Sequence, residues 1–137
     1  MLESRKMIKD FTDIIAWQKG HEVVLSIYKI TEKFPKEEVY GLTSQMRRCA
    51  VSITSNIAEG FSRNSSKEKD QFYAISSGSY SELKNQLLVA KDLNIIAAEE
   101  YTDVSEKIKN GHMILNGLRR ANRAKQQSNV NRQRSNV

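Results

Sequence analysis

Residues 47–73 read RRCAVSITSNIAEGFSRNSSKEKDQFY, and the reading of this stretch decides the fold. Leu42, Met46, Cys49, Ile53 and Ile57 recur at spacings of four, three, four and four, the period of one helix face. Yet Ser52, Thr54, Ser55, Asn56 and Glu59 sit among them. Two readings of that polarity stand: fraying of the helix into a polar turn, or a hydrogen-bonded network that fixes helix register or a subunit contact. A buried amide or carboxylate without partners costs about 1–3 kcal/mol, so Asn56 and Glu59 are expected to be at least half-buried and hydrogen-bonded. Gly60 is expected to end the helix in the left-handed conformation. Ser65 and Glu68 have the spacing of a capping box, which starts the next helix at Ser66.

Working outward, a first helix is expected from a cap at Asp13 to about Phe34. It carries two adjoining stripes, one of Trp17, His21, Val24, Tyr28 and Thr31, the other of Val23, Ile27, Ile30 and Phe34. Two stripes imply burial on two sides. Pro35 disfavours helical geometry at Phe34, and the second helix then spans about Glu38 to Glu59. The third runs from Ser66 to about Leu93 or Asn94, roughly 42 Å, on a stripe of Phe72, Ile75, Ser79, Leu83, Gln86, Leu87, Ala90 and Leu93. The fourth spans about Ala98 to Arg123, where Tyr101, Val104, Ile108, Gly111, Leu115, Leu118 and Asn122 alternate spacings of three and four, as in left-handed bundle packing. Small residues Ser76, Gly78, Ser79 and Gly111 are expected to let backbones approach closely. Period-two alternation never lasts. The expected fold is all-α, an antiparallel up-and-down four-helix bundle over residues 13–123. A flexible N-terminal segment, residues 1–12, precedes it, and a disordered basic tail, residues 124–137, follows.

The position of the charge is more informative than its size. The formal net charge is +6. From Arg119 onward the chain carries Arg119, Arg120, Arg123, Lys125, Arg132 and Arg134 and no acid, so residues 1–118 balance at 16 basic and 16 acidic side chains. Such a block attracts polyanions such as nucleic acid; the plainer reading is a solvated tail. Arg47 and Arg48, with Arg63, Lys67 and Lys69, form either a basic patch around one end of the bundle or a mixed solvated surface.

Nothing in the chain has the arrangement of a catalytic or metal centre. His21 and His112 lie on different helices, neither with a second ligand at metal-binding spacing on its own helix, and read as packing residues. Cys49 sits on the apolar stripe and reads as a small core residue. Phosphate loops and a Ser-His-Asp order are missing, so no enzyme and no cofactor is expected. One cysteine excludes an internal disulfide and points to a reducing compartment. No segment has the ~20 apolar residues of a membrane span, so the expected location is cytoplasmic.

The segments FPKEEVYGLTSQMRRCAVSITSNIAEGFSR, FYAISSGSYSELKNQL and LNGLRR resemble the four-helix bundle proteins encoded within intervening sequences of bacterial large-subunit ribosomal RNA genes. That family includes the accessory variability proteins of diversity-generating retroelements. The resemblance covers about Trp17 to Arg120, and its most specific pieces are Pro35, Tyr40-Gly41-Leu42, Gln45, Arg47-Arg48, Asn56 to Gly60, Gly78-Ser79 and Glu82-Leu83. It implies a homopentameric ring of bundles, with Asn56, Glu59 and Gly60 as a structural signature. The retroelement members bind nucleic acid and a reverse transcriptase. The expected function is therefore a non-enzymatic, oligomeric nucleic-acid-binding accessory protein, with Arg47, Arg48, Arg119, Arg120, Arg123 and the tail cations as phosphate contacts, possible assistance to a reverse transcriptase being part of that reading. The alternative is a protein-protein scaffold of the ribosomal branch.

Overall fold

The computed structural model describes residues 7–136. Four helices, α1 (Ile15–Thr31), α2 (Ser44–Phe61), α3 (Ser66–Asp92) and α4 (Ala98–Ser135), make up the fold, with no strand among the described residues. Each packs on its chain neighbours, and α1 closes the square against α4. At one end Lys33 meets Glu100 at 3.6 Å; at the other, Asp70 in the first turns of α3 meets Arg119 of α4. Successive helices therefore run in opposite directions. Residues 1–6 of the expected flexible segment lie outside the described residues. The remainder is folded back: the Lys9 and Asp10 amides donate to Asp13 Oδ2 at 3.0 and 3.1 Å, and Phe11 meets Trp17 edge-on.

Helix boundaries follow local chemistry that differs from the expectation in four places. Asp13 is the last residue of a short 3-10 turn (Phe11–Asp13) capped by Asp10, and Ile14 takes the N-cap position of α1. The chain leaves α1 at Thr31, before Pro35, and passes through a 3-10 turn (Lys36–Glu38) and a π turn (Val39–Thr43). Gly41, at φ −108° and ψ −114°, breaks the helical path there, so α2 proper starts at Ser44. At the far end of α2, Gly60 stays helical with no left-handed φ. Its lack of a side chain serves packing: a Cβ would lie 2.7 Å from Tyr73 Cε1 and 3.1 Å from the Lys69 carbonyl. The left-handed residue is Asn94 (φ 59°), where the Ile95 amide reaches back to Ala90 O at 3.0 Å and closes α3. The capping box at Ser65 forms its backbone half, Glu68 N donating to Ser65 Oγ at 3.1 Å.

The core holds Val23, Ile27 and Ile30 of α1, Met46, Ile53 and Ile57 of α2, Leu83 and Leu87 of α3, and Val104, Ile108 and Leu115 of α4. Only one of the two α1 stripes is core. The other lies at the bundle's edge: Thr31 is buried, Trp17 and Val24 are half-buried, and His21 and Tyr28 are exposed, with Phe11 and His21 packed on Trp17 and the Arg47 guanidinium 4.7 Å over the Tyr28 ring. In α3 the buried stripe begins with Tyr73, Ser76 and Tyr80, whereas Ile75 and Leu93 point outward at 52% and 58% exposure. Hydrogen bonding explains the exchange. Ser76 donates to Ile53 O at 2.8 Å, Cys49 Sγ donates to Ser79 O at 3.0 Å, and the Ser52 and Ser79 hydroxyls meet at 2.9 Å. These short polar side chains draw α2 against α3.

Tyr80 fills the centre of the bundle, fully buried, and its hydroxyl has no hydrogen-bond partner among the described residues. The ring fits because Gly111 of α4 lacks a Cβ, which would overlap the hydroxyl and lie 3.0 Å from Cζ; Gly20 of α1 instead makes room for Thr54 and Ile53 of α2, which would lie 3.1 and 3.2 Å from a Cβ there. Gly111 thus admits an aromatic ring rather than a backbone. Gly78 admits nothing, since no atom lies within 4 Å of where its Cβ would be.

Replacing Gly111 by Ala gains about 1 kcal/mol of helix propensity but overpacks the core against Tyr80, a change that costs about 1–3 kcal/mol. The expected outcome is a lower melting temperature by circular dichroism, with the loss reduced when Tyr80→Phe is added. Equal losses in both backgrounds would show that Gly111 does not accommodate the Tyr80 hydroxyl.

Candidate functional site

The cations singled out from the sequence fall into two groups at opposite ends of the bundle. Arg47 and Arg48 lie in the first turns of α2, whereas Arg63, Lys67 and Lys69 flank the α2–α3 turn some 20 Å further along the helix axis. They do not form one patch. Arg47 is occupied within the fold, donating from Nε to Thr31 Oγ1 at 2.8 Å and from Nη2 to Tyr28 O at 3.5 Å. Arg48 is exposed.

The second group gathers where α4 passes the start of α3. Arg119 Nε donates to Asp70 Oδ1 at 3.0 Å, and Arg123 stands 3.6 Å from the same carboxylate. Next to them Asn122, buried, donates to Ser66 O at 2.8 Å. Asn122 is the last buried residue of α4, but the helix continues to Ser135. The expected disordered tail is instead an exposed helical rod of about 18 Å. No apolar face holds it to the bundle, which is why the sequence pattern ends at Asn122. At 3.6 residues per turn, Arg120, Arg123 and Arg134 fall on one side of the rod and Lys125 and Arg132 on the other.

Two nearby cations belong to the fold. Lys69 donates to Phe61 O at 2.7 Å, holding the last carbonyls of α2; burial first, and then the Lys125 charge, lower its pKa. Arg63 lies over the Phe72 ring and pairs with Glu59 at 2.6 Å. Glu59 is therefore hydrogen-bonded as expected, but its side chain is 51% exposed against an expectation of at least half burial; such exposed pairs contribute about 0.3–0.5 kcal/mol. Asn56 is half-buried and donates to Ser52 O and Ser52 Oγ at 2.8 and 3.1 Å. Through Ser52 it continues to Ser79 of α3. Asn56 is thus linked through Ser52 to the α2–α3 contact, and Glu59 stands outside that chain of bonds.

A cleft not anticipated from the sequence opens between α3 and α4, with a volume of about 220 Å³. Leu87 and Ile108 supply its apolar part, Lys84 and Lys109 its charge, and Tyr101, Ser105, His112, Met113 and Asn116 the remaining wall. His112 stacks on Tyr80 at 5.0 Å, with Nε2 2.8 Å from Ser77 Oγ. Burial, followed by the charges of Lys84 and Arg119, lowers its pKa. The packing role expected for His112 is present, but the ring also faces this cleft. A signal existed: Ser105, Lys109, His112, Asn116, Arg119 and Arg123 repeat at spacings of four, three, four, three and four. This polar seam runs parallel to the apolar one and contains no acid. No trio of His, Cys, Asp or Glu among the described residues is placed to hold a metal ion, and burial first, then the Glu82 charge, push the Cys49 thiol up to about 12. No helix among the described residues is long and apolar enough to cross a membrane.

With this geometry described, comparison with known proteins gives one finding. The family model of the 23S rRNA-intervening sequence protein matches residues 12–117, which takes in the bundle and the α3–α4 cleft and stops short of the rod. No curated protein matches the chain.

Because the folded pKa of His112 lies below its ordinary value of about 6.5, the fold favours the neutral ring. The stability this contributes is present above the unfolded pKa and is lost as pH falls below it. Melting temperature is expected to fall between about pH 7 and pH 5 by less in His112→Gln than in the parent protein. An NMR titration of His112 with a midpoint at or above the ordinary value would contradict the assignment.

Proposed function

The chain belongs to the 23S rRNA-intervening sequence protein family, and from that premise we propose a non-enzymatic accessory protein that binds nucleic-acid phosphates through the end of α4. The supporting observation is that Arg119, Arg120, Arg123, Lys125, Arg132 and Arg134 stand on one continuous helix with no acid after Arg119. A rod basic on both sides suits a polyanion approached from any direction. Phosphate contacts of this kind give affinity without reading sequence. Arg119 and Arg123 share Asp70, so Arg120, Lys125, Arg132 and Arg134 carry most of the attraction, and Arg48 is a separate contact at the other end. The fuller form of the proposal places the protein in the cytoplasm, in the service of a reverse transcriptase of a diversity-generating retroelement, with the charge-balanced body left to dock that partner.

We further propose that copies assemble into a homo-oligomer, a pentamer by the resemblance. A mid-helix glycine costs about 1 kcal/mol against Ala, and Gly78 accommodates nothing within its own chain. On the helical wheel Ile75, Gly78, Val89 and Leu93 lie within about 60° of one another, and Ile75, Val89 and Leu93 are exposed. With exposed Glu82 also on this arc, the face offers a second helix a glycine gap, apolar flanks and one carboxylate. Light scattering is expected to give a multiple of the 15.7 kDa chain mass, reduced by Ile75→Glu with Gly78→Glu. A parent protein that runs as a monomer at micromolar concentration would remove the assembly proposal.

Nucleic-acid binding is tested by its salt dependence. Log affinity for duplex DNA falls with log salt at a slope near −0.9 per phosphate contact. Ending the chain after Arg123 deletes Lys125, Arg132 and Arg134, and the slope is expected to become shallower by up to about 3 per rod engaged, with the melting temperature unchanged. An unchanged slope would exclude the rod, and no binding by the full chain at low salt would favour the scaffold reading.

A further inference from the structure

The α3–α4 cleft brings together side chains that the fold does not otherwise use. Lys84 comes from α3 and Lys109 from α4, and neither takes part in an ion pair or hydrogen bond among the described residues. No carboxylate lines the cleft. Two unneutralised ammonium groups converging on a recess raise its positive potential and favour an anion. A bare inorganic anion would leave the rest of the lining without a role, because Met113 offers exposed apolar surface beside the charges. The Asn116 carboxamide, also in the wall, has both donors and acceptors. That combination matches the edge of a heterocyclic base, which presents both, and serves a simple carboxylate poorly. His112 has one ring face against Tyr80, which leaves its remaining surface to the cleft.

We propose that this cleft is a binding site for one nucleoside phosphate. The phosphate sits between Lys84 and Lys109, and the ring rests against Met113 beside His112, with its polar edge on Asn116. At about 220 Å³ the cleft is below the roughly 300–1,000 Å³ of sites that enclose drug-sized ligands, so it takes the heterocyclic ring, with the sugar and phosphate at its mouth. The ligand is either a free mononucleotide or one unstacked nucleotide of a single strand. The second source rests on the reading of the rod as a nucleic-acid contact, since the polar seam leads from Lys109 and Asn116 to Arg119 and Arg123.

The test uses the full chain titrated with adenosine and uridine 5′-monophosphates, with inorganic phosphate and the free nucleosides as controls, followed by NMR at His112 and Asn116. A mononucleotide is expected to shift both residues. Lys84→Ala with Lys109→Ala should weaken it about tenfold or more, the usual consequence of losing charge-assisted hydrogen bonds. Asn116→Leu should weaken the mononucleotide but not inorganic phosphate, and Arg120→Ala with Arg123→Ala should leave the mononucleotide unchanged. The lysine and arginine pairs are largely solvent-facing, so melting temperatures are expected to stay near the parent value; Asn116→Leu gives an independent reading should either pair unfold. In the second arm, a single-stranded oligonucleotide is expected to lose affinity in the lysine variant while duplex of equal length does not. Inorganic phosphate shifting the same residues at the same concentrations, or no shift with millimolar mononucleotide, would overturn the cleft proposal. Oligonucleotides that still bind with the rod-dependent salt slope would then leave the rod reading standing. Mononucleotide binding without oligonucleotide binding would retain the cleft for a free nucleotide and exclude the rod.

Discussion

Tyr80 lies across the middle of the bundle, and α4 is shaped to receive it. Gly111 opens the space its hydroxyl occupies, while Gly20 of α1, beside the same hydroxyl, leaves room for Ile53 and Thr54 of α2. The phenol carries a hydroxyl into a site without a partner for it, at a desolvation cost of about 1–3 kcal/mol. Burial accordingly pushes its pKa well above the ordinary range. The ring offsets that cost by filling volume that four helices with aliphatic side chains would leave empty, and cavities are themselves destabilising. It also fixes the position of His112, which stacks on it. The core and the wall of the α3–α4 cleft are thus joined through one side chain.

The long fourth helix combines two seams. Its apolar seam buries Val104, Ile108, Gly111, Leu115 and Asn122; its polar seam, from Ser105 to Arg123, follows the same three-and-four alternation one step around the helix. Because both obey one period, each packed turn also positions a cation or hydrogen-bonding group along the groove with α3. Past Asn122 the apolar seam ends and the helix stands on local terms alone. Gln127 donates to Asn131 across one turn at 3.2 Å, and Arg132 and Arg134 lie at the end of the helix where positive charge is favoured by its dipole.

Much of this was legible in the sequence where the information is local or periodic. The Ser65 cap, the α4 seam and the four-helix order need only spacing and side-chain type. What escaped depends on partners distant in the chain. Gly60 resembles a helix stop because glycine usually serves there; its role becomes visible only when Tyr73 comes against it from α3. Ile75 outranks Ser76 on hydropathy, yet Ser76 is the buried one because its hydroxyl reaches the Ile53 carbonyl. Arg47 looked free for a ligand, but Thr31 and Tyr28 hold it. Lys84 and Lys109 drew no notice individually, since a lysine acquires meaning as part of a site only when a second one faces it across a groove.

The single thiol has a further consequence. Cys49 is buried where α2 meets α3, bonded to the Ser79 carbonyl, with burial and Glu82 both opposing its ionisation. Alkylating reagents attack the thiolate, which the closed bundle hardly populates. Modification therefore has to wait for α2 and α3 to part, and the rate at which the protein is labelled becomes a clock for that opening. The molecule carries a chemical timer for the breathing of the α2–α3 interface, readable without introducing a second cysteine.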